Sequence, residues 1–180
     1  MKYKCLFLLV LSSMVAGLCA QEASTSAEGA EAAEKKSGLP ARGSDWAPGP
    51  SDLWEVNYDE ALAKAAAEHK KVYVLSTGSD WCGWCIKLRN DVLTNPQFRT
   101  FAKKNLVLLY LDSPMKTKLP AEQQTHNQMV RKMLNFGGGV PSAKVLDEKG
   151  QVLAERSGYS KLKPYMEFLK QAVRTASPKD

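Results

Sequence analysis

Past residue 20, the 180-residue sequence has no apolar run near the ~20 residues that a membrane-spanning helix needs. Histidine is nearly absent, with only His69 and His126 present. Cysteine is scarce, and two of the four, Cys5 and Cys19, fall within the first twenty residues. Aromatics make up 8% of the chain, no long block of one charge occurs, and no internal repeat is visible. Each lack excludes something. No transmembrane segment is expected in the mature chain. A metal centre on the remaining cysteines needs two further ligands. The two histidines are read instead as a surface residue at a helix end and a member of a polar helix face. A framework of several disulfides is excluded, because one close pair remains after Cys5 and Cys19. Residues 51 to 180 carry 20 basic and 14 acidic side chains, a net +6, but the bases are scattered. Without a basic stripe interleaved with aromatics, nucleic acid is not an expected partner.

The first twenty residues, MKYKCLFLLVLSSMVAGLCA, have a basic start, an apolar centre and a small-residue end. That layout predicts a secretory signal over 1–20, cleaved after Ala20. Lipid attachment at Cys19 is the minor alternative, since Leu18 stands where lipoprotein signals place a small residue. Residues 21–50 are rich in Ala, Glu, Ser, Gly and Pro and are read as a flexible linker. Residues 51–180 have globular composition and are long enough for a core without staples. An exported, periplasmic location follows as an expectation, in a compartment where disulfides persist.

Within 51–180 the pattern alternates. Leu53–Val56 suggests an edge strand, and Asn57 a cap for a helix to about His69. Val72–Leu75 and Leu106–Leu111 read as buried strands. A helix begins near the cysteine pair, another at Asn95-Pro96 and another at Pro120, the last ended by Phe136-Gly137-Gly138-Gly139. Ala143–Leu146 and Gln151–Glu155 read as a hairpin around Glu148-Lys149-Gly150, and Lys161–Arg174 as a final amphipathic helix. This order predicts an α/β fold with a central mixed sheet and helices on both faces.

The stretch SDWCGWC, residues 79–85, holds the surviving cysteines. A pair at this spacing can bind metal, close a structural loop or cycle between thiol and disulfide. A bridge over so short a loop removes little entropy from the unfolded chain, which weakens the structural reading. Cys82 follows a buried strand and opens a helix, where free N–H groups and the helix dipole favour a thiolate. Cys82 is therefore expected as the exposed nucleophile and Cys85 as the buried resolving thiol. Trp81 is expected to pack beside the pair and Trp84 to border it. The glycines at 137–139 either end a helix or leave room for a substrate chain.

A strand, a Trp-Cys-x-x-Cys opening a helix, and a later Gly-Val-Pro before a hairpin together resemble the thioredoxin superfamily. The string TGSDWCGWCIKL is similar to its exported DsbH-type thiol:disulfide oxidoreductases. The resemblance implies a thioredoxin-like fold over 51–180 and reductive dithiol–disulfide exchange through Cys82 and Cys85. It implies a cis Val140–Pro141 bond beside the pair. It also implies that Val140 and Pro141 shape the substrate groove. Trp81, Gly83 and Trp84 are added as expected substrate-binding residues because tryptophan is enriched at binding surfaces, with a plain core role as the alternative for Trp81 and Trp84. It implies no cofactor, protein thiols and disulfides as substrates, a membrane electron donor of the DsbD type, and a monomer. Oxidase or isomerase activity, or a non-catalytic peptide-binding module, are the alternatives. The chain also departs from thioredoxin. Trp84 stands where thioredoxin has proline, and Leu75 or Ser76 where it has a buried acid. Asp80 is nearer the motif but on the turn, so the resolving thiol is served by water or indirectly by Asp80.

Overall fold

The structure is a computed structural model that describes residues 53–175. The signal at 1–20, the linker at 21–50 and Cys19 lie outside the described residues. In chain order the elements are β1 (Trp54–Glu55), α1 (Tyr58–Glu68), β2 (Lys71–Thr77), α2 (Gly83–Leu88), α3 (Pro96–Asn105), β3 (Leu106–Asp112), α4 (Ala121–Met133), β4 (Ser142–Leu146), β5 (Val152–Ser157) and α5 (Leu162–Arg174). A π-helical turn, Arg89–Leu93, continues α2 and was not foreseen from the sequence.

The apolar runs that predicted buried strands lie at the centre of one five-stranded sheet, ordered β1-β3-β2-β4-β5. β2 pairs in parallel with β3 and antiparallel with β4, and the β4–β5 hairpin closes the sheet. Because side chains alternate along a strand, the two central strands present apolar residues to both faces. Tyr73, Leu75, Leu108 and Tyr110 face one side, where Phe98 of α3 and Tyr165 and Leu169 of α5 cover them. Val72, Val74, Leu109 and Leu111 face the other, under Ala61 and Ala65 of α1 and Val130 of α4. Fully burying each such Leu, Val or Phe side chain contributes about 1.5–3 kcal/mol. Tyr73 and Tyr165 meet in the core with their hydroxyls 2.5 Å apart. Burial pushes Tyr165 up to about 12 and Tyr73 well above the usual phenol range, so both stay neutral.

Helix ends follow side-chain chemistry. The Asn57 side chain accepts the N–H groups of Asp59 and Glu60 at 2.9 and 3.3 Å, which satisfies two donors at the start of α1. Asn95 caps α3 in the same way, with Pro96 in its first turn. α4 ends differently from the sequence reading. Asn135, at φ 51°, makes the left-handed turn, and the N–H of Phe136 bonds to the Arg131 carbonyl. Gly137, Gly138 and Gly139 therefore do not terminate the helix, and a Cβ at any of them would meet open space. The hairpin turn does need its glycine, since Gly150 sits at φ 84° beneath the Tyr58 hydroxyl.

The polar face of α4 that holds His126 is largely turned inward. Gln123 and Asn127 are buried. Gln123 donates to the Val56 carbonyl (3.0 Å) and to Asn127 Oδ1 (2.8 Å), and Asn127 donates to the Asp112 carbonyl (2.9 Å). His126 Nε2 accepts the Tyr58 N–H at 3.0 Å. These side chains face inward because they supply partners to backbone groups left over at strand and helix ends. Met129 and Met133 take the exposed side instead.

Replacing the α1 cap with Asn57→Ala is expected to cost about 1 kcal/mol of stability, read as a lower urea midpoint with an unchanged denaturant slope.

Candidate active site

The pairing of β2 assembles the site. Its last residues, Ser76 and Thr77, stand opposite Ser142 of β4 and Asp112 of β3. Ser142 in turn stands opposite Ser157 of β5. The turn after β2, the loop after β3, the loop before β4 and the loop after β5 therefore all meet at one end of the sheet.

Cys82 is the N-cap of α2 and Cys85 lies one turn in. The two are joined as a disulfide, with Cα atoms 5.2 Å apart. The Cys85 N–H points at Cys82 Sγ from 3.2 Å. The Val140 carbonyl oxygen lies 3.6 Å from the same sulfur. The Val140–Pro141 peptide is cis, the isomer the resemblance implied. The expected contrast between an exposed Cys82 and a buried Cys85 is small, at 7% and 4% exposure. Cys82 turns inward because its sulfur is bonded to Cys85 and covered by the Val140 carbonyl. Exposure belongs to the rim instead, with Trp81 at 41% and Trp84 at 61%. Gly83 lies between them, and a Cβ there would meet nothing within 4 Å.

The two tryptophans have different anchors. The Trp81 ring lies over Gly78, where a Cβ would come within 2.5 Å of the indole, so only glycine leaves room for it. Its Nε1–H donates to the Ser113 carbonyl at 2.8 Å. Trp84 stacks on Tyr159, with ring centroids 5.6 Å apart and planes 26° from parallel.

Sequence reasoning overlooked Asp112, which is buried at the end of β3. Its carboxylate accepts from the Ser79 N–H (2.9 Å), the Ser79 hydroxyl (2.5 Å) and the Ser113 N–H (2.8 Å). Burial pushes its carboxyl above the usual carboxylate range, the neighbouring Asp80 charge adds to the rise, and these hydrogen bonds offset it only in part. The available signal was an acid closing an otherwise apolar buried strand. Asp80 does something else. It accepts the N–H groups of Met115, Lys116 and Thr117 at 2.9, 2.8 and 2.8 Å. Slight desolvation pushes its carboxyl up, but these N–H groups outweigh that and hold it below the usual range. Its oxygens are thus engaged in fixing the 115–117 loop.

Among the described residues no group of three or more His, Cys, Asp or Glu side chains is placed to hold a metal.

The profile of the Thioredoxin-like family matches residues 53–147. The chain belongs to the thioredoxin-like family. The five-stranded sheet, the Cys-x-x-Cys at a helix start and the cis proline opposite it are the parts of this thioredoxin-like chain described above. It is 37% identical over 106 residues to disulfide bond reductase DsbH of Chlamydia pneumoniae, covering 59% of this chain and 62% of that relative. It therefore spans about three-fifths of that relative's length. A 48-residue stretch is 42% identical to thioredoxin-related protein DsbJ of Chlamydia pneumoniae, covering 27% of this chain and 14% of that protein. Among solved structures, DsbH oxidoreductase superposes with a TM-score of 0.62 at 32% identity, over 68% of this chain and 85% of that one.

Asp112 gives a signed pH dependence. A carboxyl raised in the folded state contributes most favourably at low pH, and that contribution is lost as pH rises through its folded value. Between pH 4 and pH 7 the stability difference between wild type and Asp112→Asn is expected to shift toward the variant, measured as urea midpoints at both pH values.

Proposed function

We propose that this protein is an exported thiol:disulfide oxidoreductase that reduces disulfides in exported polypeptides. The observation that carries the reading is the redox pair at the start of α2, where the Cys85 N–H is directed at Cys82 Sγ. Once the disulfide is opened, that N–H stabilises negative charge on Cys82, the form that attacks. Descent from a common ancestor with disulfide bond reductase DsbH supports the direction of electron flow.

In the reduced protein the Cys82 thiolate attacks one sulfur of a substrate disulfide. A Cys82–substrate bond forms and the other substrate sulfur leaves as a thiolate, which takes a proton. Cys85, deprotonated in turn, attacks Cys82 Sγ. The Cys82–Cys85 bond forms, the second substrate thiolate leaves, and the substrate has gained two electrons and two protons. Val140 and Pro141 border the sulfur and, with Trp81, Gly83 and Trp84, form the surface against which the substrate backbone lies. Restoring the dithiol takes two electrons from another protein dithiol, for which a membrane donor of the DsbD type is the proposed source. Residues 1–20 act as the export signal in this reading, residues 21–50 as a tether, and the domain works as a periplasmic monomer without a cofactor.

Cys82→Ser is expected to lose insulin reduction, while Cys85→Ser accumulates mixed disulfides on nonreducing gels. Equal turnover by wild type and Cys82→Ser would overturn the assignment. The potential of the pair, equilibrated with glutathione, is expected nearer the about −270 mV of thioredoxin than the about −120 mV of DsbA. A value at the oxidising end would reassign the protein as an oxidase or isomerase.

A further inference from the structure

Trp84, two positions after Cys82 in the chain, is a large apolar side chain left mostly in solvent, yet it is not free. One face of its indole lies on Tyr159. Tyr159 is held in turn by a chain of contacts from three parts of the fold. Its hydroxyl donates to Asp91 Oδ2 at 2.6 Å, and Asp91 sits on the π-helical turn after α2. Lys87 Nζ pairs with the same carboxylate at 3.0 Å and lies 5.3 Å from the centre of the Tyr159 ring. The backbone before Tyr159 is tied to the other wall of the site, because the Gly158 N–H donates to the Pro141 carbonyl at 2.8 Å. Gly158 adopts φ 78°, which the turn into Tyr159 requires and which favours glycine.

We propose that Tyr159 is a specificity-determining residue of this site: it holds Trp84 as a fixed apolar wall beside Cys82 and thereby selects polypeptides with an aromatic or aliphatic side chain next to the target cysteine. The proposal rests on the thiol–disulfide reading above and deepens it by naming a substrate class. The physical reason is preorganisation. An unanchored indole loses rotamer freedom when a substrate packs on it, and that loss weakens binding. An indole already stacked on Tyr159 has lost that freedom, and its second face remains available for apolar contact. Lys87, over the Tyr159 ring, and Asp91 neutralise one another, so the wall discriminates by apolar surface more than by charge. A serial arrangement of this kind makes Tyr159 act through Trp84, not on the sulfur chemistry.

The test uses the full chain and two disulfide-linked peptides matched in length and charge, one with Leu and Trp flanking the target cysteine and one with Ser and Gly. Wild type is expected to favour the apolar peptide in kcat/KM. Tyr159→Ala is expected to lower that preference about 2- to 10-fold, the range of a single aromatic contact, through KM with kcat little moved. Tyr159→Phe, which keeps the stacked ring and loses the bond to Asp91, retains most of the preference. In a Trp84→Ala background, Tyr159→Ala has no further effect on it. Should Tyr159→Ala not fold, Tyr159→Leu removes the stacking ring while filling its volume and is judged by the same ratio. A preference unchanged by loss of the ring, or absent in wild type, overturns the proposal while leaving the oxidoreductase reading intact. Failure of wild type to reduce either peptide overturns both.

Discussion

The hydrogen-bond ladder between β2 and its two neighbours is the constraint on which the rest of the structure depends. β2 runs parallel to β3, so both strands end at the same edge of the sheet. It runs antiparallel to β4, so β4 begins where β2 ends. The cysteine turn, the Asp112 loop and the cis proline are brought together by that arithmetic alone, although Cys82 and Val140 lie 58 residues apart in sequence. The ladder continues one bond past the strands, from the Ser113 N–H to the Thr77 carbonyl at 2.9 Å. A one-residue slip would exchange the two faces of β2 and expose the core, so the apolar pattern that stabilises the sheet also fixes the register of the site.

Around that fixed edge the loops are held by short-range polar contacts with divided roles. Asp112 and Asp80 sit on either side of the same turn. One is buried and its carboxyl is pushed above the usual range, while the other is half-buried and held below it by backbone N–H groups. Both tie the cysteine turn to residues 113–117, and Trp81 adds a third tie through Ser113. On the opposite side Tyr159, Asp91 and Lys87 fix Trp84. The tryptophans that precede the two cysteines in sequence are thus braced by different partners, Trp81 by Ser113 and Trp84 by Tyr159. The bracing comes from backbone donors and carboxylates because loop backbone, unlike strand backbone, has no ladder to satisfy it.

Much of this was legible in the residues. The apolar runs at 72–75 and 106–111, the caps at Asn57 and Asn95, and the hairpin at Gly150 produced the elements where local physics placed them. The Cys-x-x-Cys and the Gly-Val-Pro were readable as parts of one site because the resemblance supplied the distance between them. What escaped were features with no local signature. The π-helical turn at Arg89–Leu93 sits in a sequence that reads as ordinary helix. Asn135, not the neighbouring glycines, ends α4, since asparagine tolerates the left-handed region and stood first in line.

The sequence by itself determined the alternation of strands and helices, the two-sided burial of the central strands and the spacing of the cysteine pair. These depend on periodicity and on neighbours along the chain. Only the tertiary structure decided which polar residues face inward. Gln123, Asn127 and Asp112 are buried because the backbone groups they satisfy, such as those of Val56 and Ser79, come from distant parts of the chain. It also decided that both sulfurs lie under the rim, and that Trp84 finds Tyr159, 75 residues further along. Hydrophobic burial is written residue by residue, whereas the partner of a buried polar group or an exposed ring exists only after the sheet has brought the loops together.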